Sequence, residues 1–310
     1  MKTLILFLLA FTFFKSSAQE SAMVQDSSGL KPFSITRDSV FSFKSKKGFI
    51  PSLVHNFGEQ ATAPFHMTGK QSIMVGAGIV ITGVLIYEDE NIDHFFKPLK
   101  DRDKLINHVS KPITDIGSNY AFVFATAFGG YGFVFKDKKA VQTMLLSMQA
   151  AITAGTWARF GKIMTGRERP SATYHESGHD FWWGPFQEFC PSVSKNRGVA
   201  FFDAFPSGHT SSAFAVASVF AHQYSDRPAV PIAAYTIASL VGISRLTEHD
   251  HWASDVFAGA CLGYLCGKQV VKHGRELEEN STRTASRKVK PDYFLSYSGN
   301  QFSMNCLWYF

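Results

Sequence analysis

Uncharged, largely apolar stretches alternate with charged connectors along most of this chain. Gln71–Tyr87, Ile116–Phe135, Ala140–Ala158, Thr210–Ala221, Pro228–Ser244 and Val256–Gly267 contain no Asp, Glu, Lys or Arg and are rich in Ala and Gly. Each is long enough for a helix and has few turn dipeptides inside it. Lys136-Asp137-Lys138-Lys139 separates the second stretch from the third, and Asp226-Arg227-Pro228 opens the fifth. Proline is tolerated in a first helical turn, so the latter reads as a stop followed by a restart. The pattern predicts an all-α fold, an antiparallel bundle of about six core helices over residues 71–273. Residues 19–70 are rich in Ser and Lys, with isolated Phe33, Phe41, Phe43 and Phe49. They read as an N-terminal arm that packs on something rather than as an independent domain. Residues 274–310 read as a charged linker and an aromatic tail, in which Ser298-Gly299-Asn300 predicts a short β-hairpin.

Residues 1–18 have a different character. Lys2, the apolar run Leu4–Phe14 and the small residues Ser16-Ser17-Ala18 have the layout of a secretory signal peptide cleaved after Ala18. The run is too short to cross a hydrocarbon core of ~30 Å at ~1.5 Å per residue. Export permits disulfides. Cys190 and Cys306 are then a candidate pair, whereas Cys261 and Cys266 lie in an apolar run and read as core residues.

Composition limits the classes. The chain is 45% hydrophobic with 30 Phe among 310 residues, which excludes disorder as the dominant state. Its mean hydropathy of −0.04 is polar for a protein made mostly of membrane spans. Removing Lys2 and Lys15 with the signal lowers the net charge from +6 to +4, compatible with an anionic partner or a membrane surface. Helices of this length fit either membrane spans or a buried core. If the first three stretches each crossed from an exported N-terminus, Lys136–Lys139 would lie outside, against the positive-inside tendency. The expectation is a periplasmic bundle resting on or partly in the membrane.

Three clusters carry candidate chemistry. Lys162, Arg167 and Arg169 follow the third stretch; Pro206-Ser207-Gly208-His209 opens the fourth; and Ser244-Arg245, His251 and Asp255 close the fifth and open the sixth. His251 and Asp255 are four apart and would share a helix face, where a carboxylate fixes the imidazole tautomer. Ser207 suits an N-cap, Gly208 admits a close ligand, and the free amides suit phosphate. Arg245 offers a planar fork to an oxyanion. Each cluster alone is compatible with a surface ion pair, a capped helix or a solvated connector. Short loops between antiparallel neighbours bring all three to one end of the bundle, where they suit anion hydrolysis. His249 and Asp250 read as rim residues, because no further ligand cluster at metal spacing accompanies them. Arg159 and Arg167 read as solvated helix-end charges in preference to an extension of the phosphate field. No aromatic nucleic-acid platform accompanies the basic groups.

Together K-x6-RP, PSGH and SR-x5-H-x3-D resemble the three-part signature of the type 2 phosphatidic acid phosphatase superfamily, which includes lipid phosphatases, bacterial non-specific acid phosphatases and vanadium haloperoxidases. The resemblance covers about residues 70–270. It implies a metal-independent phosphohydrolase with no cofactor, acting on a phosphorylated substrate; the aromatic loop, the basic balance and the apolar helices favour a lipid one. His251 would be the nucleophile, Asp255 its orienting carboxylate and His209 the acid for the leaving group. Lys162, Arg169, Ser207, Gly208 and Arg245 would bind phosphate. A broad-specificity periplasmic acid phosphatase, a haloperoxidase and a non-catalytic phosphate-binding envelope protein stay open as alternatives. The aromatic-rich segment 171–205, with Trp182, Trp183, Phe186 and Phe189, reads either as a roof over the pocket or as a loop core packed on the bundle.

Overall fold

The computed structural model describes residues 48–117, 121–172, 182–189, 199–288, 292–298 and 301–307. The expected signal peptide, most of the arm and Cys190 lie outside them. Helix α1 is Phe49–Thr62, α2 Gly69–Phe96, α3 Leu99–Arg102, α4 Lys104–Asp115, α5 Ala121–Val134, α6 Lys138–Thr165, α7 Gly208–Gln223, α8 Ala229–Thr247 and α9 Ala253–Lys288. Strands β1 (Asp292–Ser298) and β2 (Gln301–Leu307) pair antiparallel, with Asp292 opposite Leu307. The expected helical bundle and terminal hairpin are both present.

Local chemistry sets the helix ends. Thr68 and Gln71 form a reciprocal capping box at α2. Asp103 accepts the Leu105 and Ile106 N–H groups at α4, and Asp137 accepts from Ala140 at α6. Gly166, at φ +55°, closes α6 in the left-handed conformation that glycine adopts without steric cost. Several helices outrun their uncharged stretches, α2 and α9 the furthest. α2 continues past Tyr87 through an acidic run because Asp89 is buried against a cation described below. α9 continues through the segment expected as a linker: residues 275–290 hold no Gly or Pro, and Lys272 pairs with Glu276 one turn on.

α7 is the central helix, with Ala213 to Ala221 buried without a break between α6, α8 and α9. α9 approaches it through Gly259, Gly263 and Gly267. A Cβ at Gly259 or Gly267 would lie 2.6 Å from the Ser207 or Ala215 carbonyl oxygen, and one at Gly263 would meet that of Ser211. This stripe of small residues lets the two backbones touch. Phe214, Val241, Phe257 and Leu85 fill the core alongside. Cys266 is buried and Cys261 partly buried, as core residues.

The outer surface is apolar. α2 and α8 each reach a mean hydropathy of 1.5 over an 18-residue window, long and apolar enough to cross a membrane, and the α2 window is almost wholly unburied. Ile73, Ile79 and Val80 on α2, Phe124 and Phe133 on α5, and Ile232 and Ile237 on α8 are exposed. α1 is turned the same way. Val54 faces out, while buried Asn56 donates to Gln149 and accepts at 2.8 Å from the His273 ring. Exposed apolar surface on this scale is of the kind that meets a membrane or a protein partner.

Candidate active site

The α6 C-terminus, the α7 N-terminus, the α8 C-terminus and the α9 N-terminus meet at one end of the bundle. Lys162 stands in the last turn of α6, Arg169 just beyond it, Ser207 to His209 at the start of α7, Arg245 in the last turn of α8, His251 just before α9 and Asp255 in its first turn. The structure therefore brings every sequence-predicted site residue into one neighbourhood. Lys162, Asp203, Gly208 and His209 line a cavity of about 340 Å³, which continues past Arg159, Gly155, Ser212 and Phe122.

His251 is buried. Its Nδ1 lies 2.7 Å from the Ala204 carbonyl oxygen, which can only accept, so Nδ1 carries the proton. Nε2 has no hydrogen-bond partner among the described residues. Burial, then the charges of Lys162, Arg245 and Arg169, holds the imidazole well below its ordinary pKa. It is neutral at pH 7, with a lone pair on Nε2. His209 responds to the same field: burial, then Arg245, Lys162 and Arg169, pushes its pKa down to about 4.

Asp255 departs from its expected place. His251 precedes α9, so the two residues do not share a helix face, and Asp255 Oδ2 is 3.6 Å from Nδ1, beyond the Ala204 carbonyl. Oδ2 instead accepts the Trp252 N–H at 2.8 Å, fixing the turn that carries His251. Ser207 also differs: it occupies the N-cap position, but its hydroxyl makes no cap bond. The hydroxyl accepts from Thr210, while the Ser207 N–H donates to the Asp255 carbonyl.

Arg167 is not solvated. It is fully buried, donating to Ser254 Oγ and Asp255 Oδ1 through Nη1 and to Asp89 Oδ2 through Nη2, each at 2.6 Å. The guanidinium centre lies 4.5 Å from the Trp182 ring and 5.4 Å from that of Trp252. Two carboxylates share this cation. Burial drives Asp255 up to about 7 against the pull of Arg167, and Asp89 adds to the rise. Ser254 closes the group, its N–H and hydroxyl both donating to Asp89.

Asp203 and Asp250 join the three phosphate-site cations. Asp203 accepts from Lys162 Nζ at 3.4 Å and Arg169 Nε at 2.7 Å. Asp250 accepts from Arg169 Nη1 at 3.1 Å and lies 2.7 Å from Arg245 Nη2. Asp250 is thus part of the site rather than its rim. His249, at φ +59°, turns the chain and pairs with Asp93. Among the described residues, no group of three or more His, Cys, Asp or Glu side chains is arranged to hold a metal ion.

Residues 140–276 match the model of the PAP2 superfamily. The chain is 32% identical over 140 residues to a lipid A 1-phosphatase of Porphyromonas gingivalis, covering 45% of this chain and 25% of that protein. It is 25% identical over 170 residues to one of Rhizobium johnstonii, covering 51% and 64%. It therefore spans a quarter of the first relative and under two thirds of the second. Two solved structures are similar: Aquifex aeolicus LpxE, with TM-score 0.42 and 21% identity over 59% of this chain and 94% of that one, and a transmembrane PAP2 type phosphatidylglycerolphosphate phosphatase from Bacillus subtilis, with TM-score 0.38 and 20% identity over 74% and 94%. Asp89 lies outside the matched PAP2 stretch, yet it reaches Asp255 through Arg167. The described part of the aromatic segment folds onto the end of α6: Trp183 N–H donates to Gly166, and its indole N–H to Glu168. Of that segment, Asp203 lines the cavity.

Proposed function

We propose that the protein is a phosphohydrolase that releases phosphate from a lipid-linked substrate through a phosphohistidine on His251. The observation that carries this reading is the buried, neutral His251, held by the Ala204 carbonyl with Nε2 unpartnered in the field of Lys162, Arg169 and Arg245. Phosphoryl transfer needs mainly positioning and charge stabilisation, and two guanidinium forks and an ammonium supply both. Nε2 forms the bond to phosphorus as the ester P–O bond breaks. His209 gives its proton to the leaving oxygen. Water then attacks phosphorus, His209 takes the proton back, and the electron pair of the N–P bond returns to His251. A bound phosphate dianion offsets the cations that depress His209, raising its pKa so that it can carry the proton it must give.

A lipid substrate fits the apolar outer surface and the Phe122 wall of the cavity. The curated relatives' name points to the 1-phosphate of lipid A as the first substrate to test. With the signal-like N-terminus, the reaction would take place at the outer face of the inner membrane. A broad-specificity soluble phosphatase accords less well with the exposed faces of α2, α5 and α8.

The test is a substrate panel. Purified full-length protein in detergent is given lipid A, phosphatidate, a polyprenyl pyrophosphate and p-nitrophenyl phosphate, with chelator and with vanadate. The expected result is release from a lipid substrate that survives chelator and is blocked by vanadate. Failure on every lipid with turnover of p-nitrophenyl phosphate would favour the broad-specificity enzyme. Vanadate- and peroxide-dependent bromide oxidation would favour a haloperoxidase.

A further inference from the structure

We propose that Asp203 and Asp250 are positioning residues that act through Lys162, Arg169 and Arg245 to weaken the site's hold on phosphate and speed release of the anionic product. The proposal rests on the phosphohydrolase reading. Five side chains form one alternating series: Lys162, Asp203, Arg169, Asp250, Arg245. Each carboxylate bridges two cations, so three formal positive charges face an incoming dianion with two negative charges already among them. The site presents a net +1 rather than +3. These carboxylates are not strays from the surface. Asp203 is 16% exposed and Asp250 30%, so solvent screens them incompletely. The backbone fixes both: the Ala204 N–H beside Asp203 bonds the Arg167 carbonyl, and the Asp250 N–H bonds that of Arg245.

The arrangement has a chemical use. Hydrolysis at a three-cation site ends with inorganic phosphate bound to the groups that stabilised the transition state, and an unopposed +3 site would release it slowly. Carboxylates that reclaim the guanidinium forks as phosphate departs restore the ion pairs of Asp203 and Asp250. They also keep the cations in register between turnovers, since each fork already holds a carboxylate oxygen.

Removing charge while keeping shape tests this. Asp203→Asn and Asp250→Asn each delete one negative charge at constant size, keeping an acceptor oxygen for one of the two bridged cations and turning an amide NH2 toward the other. Orthophosphate binding to the full-length protein in detergent is measured by calorimetry, and product inhibition by orthophosphate in the hydrolysis assay. Each variant should bind orthophosphate about tenfold more tightly, with an inhibition constant lowered by the same factor. A merely structural carboxylate would give the opposite sign, because loosened cations bind phosphate less well. Unchanged or weaker binding in variants with wild-type circular dichroism overturns the proposal. If the wild type binds orthophosphate but hydrolyses nothing, the phosphatase reading falls while the binding comparison still decides the role of the charges. If the wild type binds no orthophosphate, both fall.

Discussion

Replacing Arg167 with leucine should be among the most destabilising single changes in this chain. The side chain is fully buried and supplies hydrogen bonds to Ser254, Asp255 and Asp89. Leucine would leave two carboxylates buried without their counter-charge, at a cost of about 3–5 kcal/mol. Asp89→Asn is a graded comparison. It keeps an oxygen for the Ser254 N–H and leaves one carboxylate to one guanidinium, so the expected loss is at most about 1.5–3 kcal/mol. Because the residues share one network, the double variant should cost less than the two single changes combined. Guanidinium unfolding of the detergent-solubilised protein can be followed by tryptophan fluorescence, since the Trp182 and Trp252 rings flank the guanidinium. An Arg167→Leu protein as stable as Asp89→Asn would refute the buried-charge reasoning.

Three further outcomes are expected. NMR titration of His209 should give a midpoint near 4 in the empty protein, where burial and the cations favour the neutral ring, and a higher one with phosphate bound; a midpoint unmoved by phosphate contradicts its role as proton donor. Arg245→Lys should lower kcat/KM about 10- to 100-fold in steady-state assays, because an ammonium cannot replace the planar fork, and a neutral result would remove Arg245 from the site. Gly263→Val should destabilise by about 1–3 kcal/mol in the unfolding assay, since its Cβ meets the Ser211 backbone, whereas Gly130→Ala, with nothing within 4 Å, should be near neutral.

The bundle was legible because its helices are uncharged runs broken by short charged connectors. That same arithmetic of short antiparallel links brought Lys162, His209, Arg245 and His251 to one end. What it missed depends on long-range pairing. Arg167 reads as a solvated charge beside Arg169, and nothing local announces that its partner is Asp89, 78 residues upstream. The acidic run at 88–90 looks like the end of an apolar stretch, although Asp89 is its buried member. Asp203 carries no local signal and Asp250 reads as a rim residue for a related reason: near a cationic motif an acid looks like a solvated neighbour until the fold shows it bridging two cations. The four-residue spacing of His251 and Asp255 misled because it presumes a helix that begins only at Ala253. The helix past Gly274 was missed because charge was taken for a linker where the absence of Gly and Pro mattered more.

Covalent trapping on His251 tests the central claim most directly. Full-length protein is mixed with a 32P-labelled lipid phosphate in chelator and quenched in alkali, where phosphohistidine survives. The account predicts label on the wild-type protein, none on His251→Ala, and loss of phosphate release in that variant by about a thousandfold or more. Undiminished turnover or undiminished labelling in His251→Ala would contradict it.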